Sequence, residues 1–328
     1  MADAAPVGRV LITGATGFIG RHAVDPLLER GYEVVAATHR QPPTDSRPGV
    51  RWHVADLLSE SDSERLVAQS GATHLLHLAW YYEPASVYTS IENVRWVEAT
   101  LRLLRIFAES PVARRVVLAG TCAEYGASAE SSDEFQTPVA PSTLYGRSKH
   151  ATATLARHVC DSRGISLANG RVFFVFGPGE HPLRLVSSVS LALLEERKAP
   201  CSHGTQVRDF QLSSETAAAL VALLDSDVRG PVNIGSGERL SIRDVVGYLG
   251  ELSGRPDLVR LGAIPARHHE QQLVVPNLRR LRDEVGFHPQ RSVRDGLELT
   301  LRWWTDQVRA GAAGQELPPS VHPRAPAA

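Results

Sequence analysis

Cysteine is scarce in this 328-residue chain, which has only Cys122, Cys160 and Cys201. The number is odd and none stand at CxxC spacing, so a structural zinc site is excluded and a reducing compartment is implied. Long apolar runs are missing as well. None approaches the roughly 18 residues needed to span a bilayer, so no membrane association is expected. The opening Met1-Ala-Asp-Ala-Ala-Pro lacks a basic-then-apolar signal pattern, and the expected location is cytoplasmic. Excess charge is absent too. With 35 basic against 36 acidic side chains the formal charge is −1, which excludes a general grip on nucleic acid. Lysine is almost absent: of the 35 basic residues only Lys149 and Lys198 are lysines. A lysine in so arginine-rich a chain calls for a reason that arginine cannot meet.

What is present is an alternation. Strand-like runs occur at Arg9–Thr13, Glu33–Thr38, Val50–Ala55, His74–Ala79, Arg115–Ala119 and Ser166–Phe176. Segments of helical period lie among them at Gly20–Arg30, Ser61–Gln69, Ile91–Glu109 and Tyr145–Arg163. Strands separated by helices predict an α/β fold with a doubly wound parallel sheet. Continuously apolar runs such as Val10-Leu-Ile and Val116-Val-Leu suit strands covered on both sides. After residue 177 the rhythm breaks, with a helix at Arg184–Arg197, a short strand at Val232-Asn-Ile and a helix at Ser241–Ser253. The expected organisation is a dinucleotide-binding domain at 1–176 with 209–234, and a smaller C-terminal lobe at 177–208 with 235–309. An Ala, Pro and Gly-rich tail at 310–328 is expected to be flexible.

Between the first strand and first helix stands Val10-Leu-Ile-Thr-Gly14-Ala-Thr-Gly17-Phe-Ile-Gly20. Glycines there allow a tight turn, bring backbone N–H groups to a pyrophosphate and let the helix pack close to the sheet. That position on a strand, turn and helix is what makes a glycine triplet specific. GxxGxxG spacing resembles the extended short-chain dehydrogenase/reductase family, the branch of NAD(P)-dependent nucleotide-sugar epimerases, dehydratases and ketoreductases. The resemblance runs from Val10 to about Trp304 through Asp56-Leu57, His77-Leu-Ala79, Gly177-Pro-Gly, Arg208-Asp-Phe and Asn233-Ile-Gly-Ser-Gly. It implies a Rossmann-type fold, with the C-terminal lobe binding substrate. The implied cofactor residues are Gly14, Thr16, Gly17, Phe18, Ile19, Gly20, Asp56, Leu57, Leu78, Ala79, Trp80 and Asn93. NAD users place a carboxylate at the end of the second strand, where this chain has Ala37-Thr38-His39-Arg40. Arg40 offers a charged fork for a 2′-phosphate, with Arg21 in support, so NADP(H) is expected over NAD(H).

Tyr145-Gly-Arg-Ser-Lys149 opens a helix, and a spacing of four sets the phenol and ammonium on one face. A free phenol titrates near 10, and moving it toward 7 needs about 4 kcal/mol of differential interaction, which a nearby cation can supply. In the family the third member is a Ser or Thr after the fifth strand, here Thr121. Tyr145, Lys149 and Thr121 are thus the expected catalytic residues, with Tyr145 and Lys149 also touching the cofactor. The related 4,6-dehydratases follow that Thr with an Asp–Glu pair. Here Cys122 and Ala123 occupy those positions, and Glu124, one residue late, is expected to point the other way.

On the substrate side the resemblance assigns Arg208, and with it Arg267, to a nucleotide diphosphate. Trp80, Thr121, Tyr145 and Phe174 complete the expected set. Phe174, with Trp80, Tyr81 and Tyr82, suggests an apolar pocket suited to the methyl group of a 6-deoxy sugar, although core packing explains Phe174 equally. No histidine pair stands at metal spacing, so no metal is expected. The expected activity is NADPH-dependent reduction of a nucleotide-activated 4-keto-6-deoxyhexose, with a nucleotide-diphosphate sugar as substrate. A nucleotide-sugar 4-epimerase using NAD and a non-catalytic dinucleotide-binding regulatory protein are the alternatives. Relatives pair through the helices here at Ile91–Glu109 and Tyr145–Arg163, so a homodimer is expected.

Overall fold

The computed structural model describes residues 7–39, 41–43, 47–127, 130–265 and 271–311. Arg40, Arg267 and the tail beyond 311 lie outside the described residues. The apolar runs become strands β1 (Gly8–Thr13), β2 (Tyr32–Thr38), β3 (Val50–Val54), β4 (His74–His77), β5 (Arg115–Thr121) and β6 (Ser166–Val172). With the Gly230–Ile234 strand outside β6, they form one parallel seven-stranded sheet. Its order is Gly230–Ile234, β6, β5, β4, β1, β2, β3. β1 pairs with β2 on one side (Val10 with Val34) and β4 on the other (Val10 with His74). Strand order reverses there, which opens the crevice in which such sheets bind ligands.

Two cores sit on the two faces of this Rossmann-type sheet. Helices α1 (Val24–Glu29) and α6 (Ser213–Asp225) cover one face, burying Ile12, Val34, Leu27, Leu220 and Leu224. Helices α2 (Glu60–Ser70), α3 (Glu92–Glu109) and α4 (Leu144–Asp161) cover the other, over Leu11, Val35, Leu75, Leu103 and Phe107. A third cluster joins Phe176 and Phe210 to α5 (Leu185–Leu194), α7 (Ile242–Ser253) and α8 (Val293–Gly311). Among the described residues no helix is long and apolar enough to cross a membrane.

Two elements differ from the sequence expectation. The run Ser166–Phe176 is not one strand. Phe173 N–H donates to the Ile234 carbonyl at the end of the large sheet, and Phe174 N–H already donates to the Asp209 carbonyl. Phe174–Phe176 therefore pairs with Phe210–Leu212 in a separate two-stranded sheet. The first helix, expected over Gly20–Arg30, splits into a 3₁₀ turn at Gly20–His22 and α1 from Val24. Pro26 has no N–H to give the His22 carbonyl, so the helix restarts where that missing donor falls in its own first turn.

Burial separates two phenylalanines of like chemistry. Phe107 is fully buried under the sheet, whereas Phe135 is 70% exposed and meets the Arg280 guanidinium. Phe107→Ala is expected to cost about 3–5 kcal/mol of unfolding free energy. Phe135→Ala should cost no more than about 1 kcal/mol, the scale of an exposed cation–π contact. Denaturant melts of both variants check the contrast.

Candidate active site

The glycine turn closes β1 at the point where strand order reverses. Gly14 has φ +69°, and a Cβ there would lie 2.8 Å from the Ala79 nitrogen, so the turn packs directly on the end of β4. A Cβ on Gly20 would come within 2.1 Å of the Gly14 carbonyl oxygen. His77 locks the two strand ends together: its ring nitrogens lie 2.8 Å from the Thr13 hydroxyl and 3.0 Å from the Thr100 hydroxyl. Burial drives its pKa down to about 3, so the ring is neutral, able to donate on one side and accept on the other. The sequence signal for this role is a histidine at a buried strand end with threonines in reach.

Around the turn, Thr16, Phe18 and Ile19 stay at least partly exposed, as do Leu78 and Ala79 across the crevice. Thr38, buried at the end of β2, places its hydroxyl 3.2 Å from that of Thr16. Asp56 accepts the Leu58 N–H at 2.9 Å and leads into α2, while Leu57 is buried in the core. Arg21 lies beside the glycine turn. Its guanidinium donates to the Pro178 carbonyl and lies 5.5 Å from the Phe18 ring, tying the glycine turn to the Gly177–Gly179 turn. Asn93 is fully buried with its amide saturated. Its Oδ1 accepts the Trp80 indole N–H at 2.9 Å, and its Nδ2 donates to the Val87 and Ser90 carbonyls at 2.7 and 2.9 Å. The residue expected beside the cofactor thus braces Trp80.

Beside this crevice β5 delivers Thr121, and α4, capped by the Thr143 hydroxyl, delivers Tyr145 and Lys149 one turn apart. The Thr121 hydroxyl lies beside the Tyr145 phenol. The Tyr145 ring meets Tyr88 edge to face, with centroids 5.9 Å apart, and Tyr145 N–H donates to the Tyr88 carbonyl. Burial pushes the Tyr145 phenol above its ordinary value, and the nearby Thr121 hydroxyl only partly opposes it. This corrects the expectation of a phenol acidified toward 7: in the protein alone desolvation wins, and Tyr145 holds its proton. Lys149 Nζ donates to the Ala119 carbonyl at 2.9 Å and lies 3.9 Å from the Trp80 ring centroid. Burial pulls this ammonium down to about 7, against the attraction of Glu124.

Glu124 turns away from the crevice into a buried network. Its carboxylate accepts Thr121 N–H at 3.1 Å, Arg171 Nε–H at 3.0 Å and the Asn169 amide at 3.2 Å. Cys122 and Ala123 carry no acid or base for removing water, and burial pushes the Cys122 thiol up to about 12.

On the lobe side, Phe174 packs on Phe210 with centroids 5.9 Å apart. Arg208 is buried, 5.4 Å from the Phe174 ring, and donates to the carbonyls of Val207, Gln271 and Gln272 at 2.9, 2.7 and 3.4 Å. Sequence reasoning missed Glu180, Arg184 and Tyr88. Arg184 lies near the Tyr88 side chain and pairs with Glu180 at 3.6 Å, while Glu180 accepts the Ser187 hydroxyl at 2.9 Å. An acid and an arginine four apart, just after Gly177-Pro-Gly, were the available signal. The crowded glycine turn, the open Thr16 and the buried ammonium beside Tyr145 together suit a dinucleotide.

A profile of the NAD dependent epimerase/dehydratase family matches residues 10–235. UDP-glucuronic acid decarboxylase 1 of Xenopus tropicalis is 26% identical over 324 residues, covering 94% of this chain and 75% of the relative. dTDP-6-deoxy-L-talose 4-dehydrogenase (NAD(P)(+)) of Kitasatospora kifunensis is 30% identical over 320 residues, covering 93% and 97%. The solved structure of MoeE5 in complex with UDP-glucose and NAD superposes with a TM-score of 0.79 at 29% identity, covering 92% of this chain and 100% of that one. The chain therefore belongs to the NAD dependent epimerase/dehydratase family, within the extended short-chain dehydrogenases/reductases.

Proposed function

We propose that this chain is an NADPH-dependent ketoreductase acting on a nucleotide-activated 4-keto-6-deoxyhexose. The observation that carries the reading is that β5 and α4 bring Thr121, Tyr145 and Lys149 to one crevice, where desolvation holds the Tyr145 phenol above its ordinary value and no acid–base pair follows Thr121. Reduction of a ketone needs one proton donor, whereas dehydration needs an acid and a base. When bound, the nicotinamide supplies the hydride. Thr121 orients the carbonyl oxygen and Tyr145 gives its proton to the nascent alkoxide. Lys149, as an ammonium, stabilises the phenolate that is left. The relative named as a 4-dehydrogenase of a 6-deoxy sugar supports the choice of C4.

Aromatic side chains from Trp80 to Tyr82, with Tyr88 and Phe174, support a sugar that has lost its 6-hydroxyl. The C-terminal lobe is read as the substrate side, with Arg208 and Arg267 assigned to the diphosphate. NADPH is favoured because no carboxylate ends β2 and because Arg40 follows it. A cavity of about 270 Å³ beside the glycine turn adds Arg21 and Arg47 to its lining, with Ala15 and Thr16.

Purified protein should oxidise NADPH when given nucleotide-linked 4-keto-6-deoxyhexoses, and Tyr145→Phe should lower kcat about 10²–10⁴-fold. Sugar interconversion without added reductant, on tightly held NAD, would overturn this in favour of a 4-epimerase. NADH should serve poorly, and Arg40→Ala should raise KM for NADPH at least about tenfold while leaving KM for NADH unchanged, through loss of a charged hydrogen bond. The Lys149 ammonium is present below about 7 and lost above it. The kcat/KM for ketone reduction should accordingly decline on the alkaline side, and a profile flat to high pH would contradict the role of Lys149.

A further inference from the structure

Lys149 is 8% exposed, and a buried ammonium ordinarily keeps its charge by pairing with a carboxylate. The nearest one here is otherwise engaged: Glu124 accepts from Thr121 N–H, Asn169 and Arg171 behind β5. Lys149 instead has two partners, the Ala119 carbonyl at 2.9 Å and the face of the Trp80 indole at 3.9 Å from the ring centroid. That distance is well inside the roughly 6 Å over which a ring quadrupole attracts a cation, and tryptophan is the strongest such ring.

The indole is fixed in place. Its N–H donates to Asn93 Oδ1 at 2.9 Å, and Asn93 is itself held by the Val87 and Ser90 carbonyls. Trp96 lies on the same side, with centroids 6.4 Å apart. We propose that Trp80 is a positioning residue for the proton donor: its Asn93-locked face keeps the Lys149 side chain in place and charged beside Tyr145.

A π face has an advantage over a carboxylate at this position. A carboxylate would cancel the charge that Tyr145 must feel as its proton leaves. The indole stabilises the ammonium and adds no formal negative charge, so the net positive charge remains for the phenolate. The other titratable groups around Lys149 are His77 on β4, neutral, and Glu124 after β5, paired with Arg171, while Tyr145 stands one turn away on the same helix. None of them duplicates the role of Trp80. The catalytic consequence rests on the ketoreductase reading, but the contact itself does not.

Because the chain has only two lysines, growth on lysine labelled with ¹³C at Cε produces two lysine signals. Lys198 is exposed and serves as the internal reference, assigned with Lys198→Arg. Under the indole, the Lys149 Hε protons should lie upfield of those of Lys198, and the signal should titrate at lower pH. Trp80→Leu should abolish the upfield position and lower the Lys149 midpoint by about half to one pH unit. Trp80→Phe, which keeps a ring face, should retain part of both effects and shows that the fold survives. In active enzyme, the alkaline limb of kcat/KM should move with the midpoint. A Lys149 signal coincident with that of Lys198, or a midpoint unchanged or raised in Trp80→Leu, overturns the proposal. Absence of ketone reduction with the lysine shifts intact would sink the ketoreductase reading alone.

Discussion

A positive charge buried at the edge of a parallel sheet has to be offset, and how this is done shapes the site. Lys149 leaves water for one carbonyl and one aromatic face. Desolvation is the strongest influence on it and on Tyr145, and it acts on both in the direction of neutrality. A neutral phenol is the right resting form for a proton donor. A cation at the margin of its titration is one that a ribose hydroxyl or a developing phenolate can readily restore to full charge.

Behind this pair lies a buried polar frame with no part in proton transfer. Glu124 and Arg171 sit 3.0 Å apart with side chains at 0% and 6% exposure. Burying such a pair is costly, and removing one member would leave the other charge uncompensated. The return is position: the carboxylate holds the Thr121 N–H at the end of β5, where the hydroxyl must meet Tyr145. Gly120 permits this, since a Cβ there would lie 2.3 Å from Asn169 Oδ1 and 2.7 Å from Glu124 Oε1. On the other side, Tyr145 contacts Tyr88, which lies near Arg184; Arg184 pairs with Glu180, and Glu180 reaches the Trp304 indole of α8 through Ser187 on α5. The helical lobe thereby approaches Tyr145 through side chains.

Amino-acid order alone made the sheet, the glycine turn and the Tyr145–Lys149 spacing legible, because each obeys a local rule, whereas Thr121 came from the family resemblance. Buried parallel strands read as apolar runs, glycine is demanded where Ala79 crowds Gly14, and residues four apart share a helix face. Where a partner distant along the chain decided the matter, local rules failed. Phe174 left the large sheet because Asp209, remote in the chain, took its N–H. The sequence by itself determined which groups the site contains. Tertiary structure decided which of them carry charge and which way they face, because desolvation and hydrogen-bond partnership arise only when segments remote in the chain exclude water from one another.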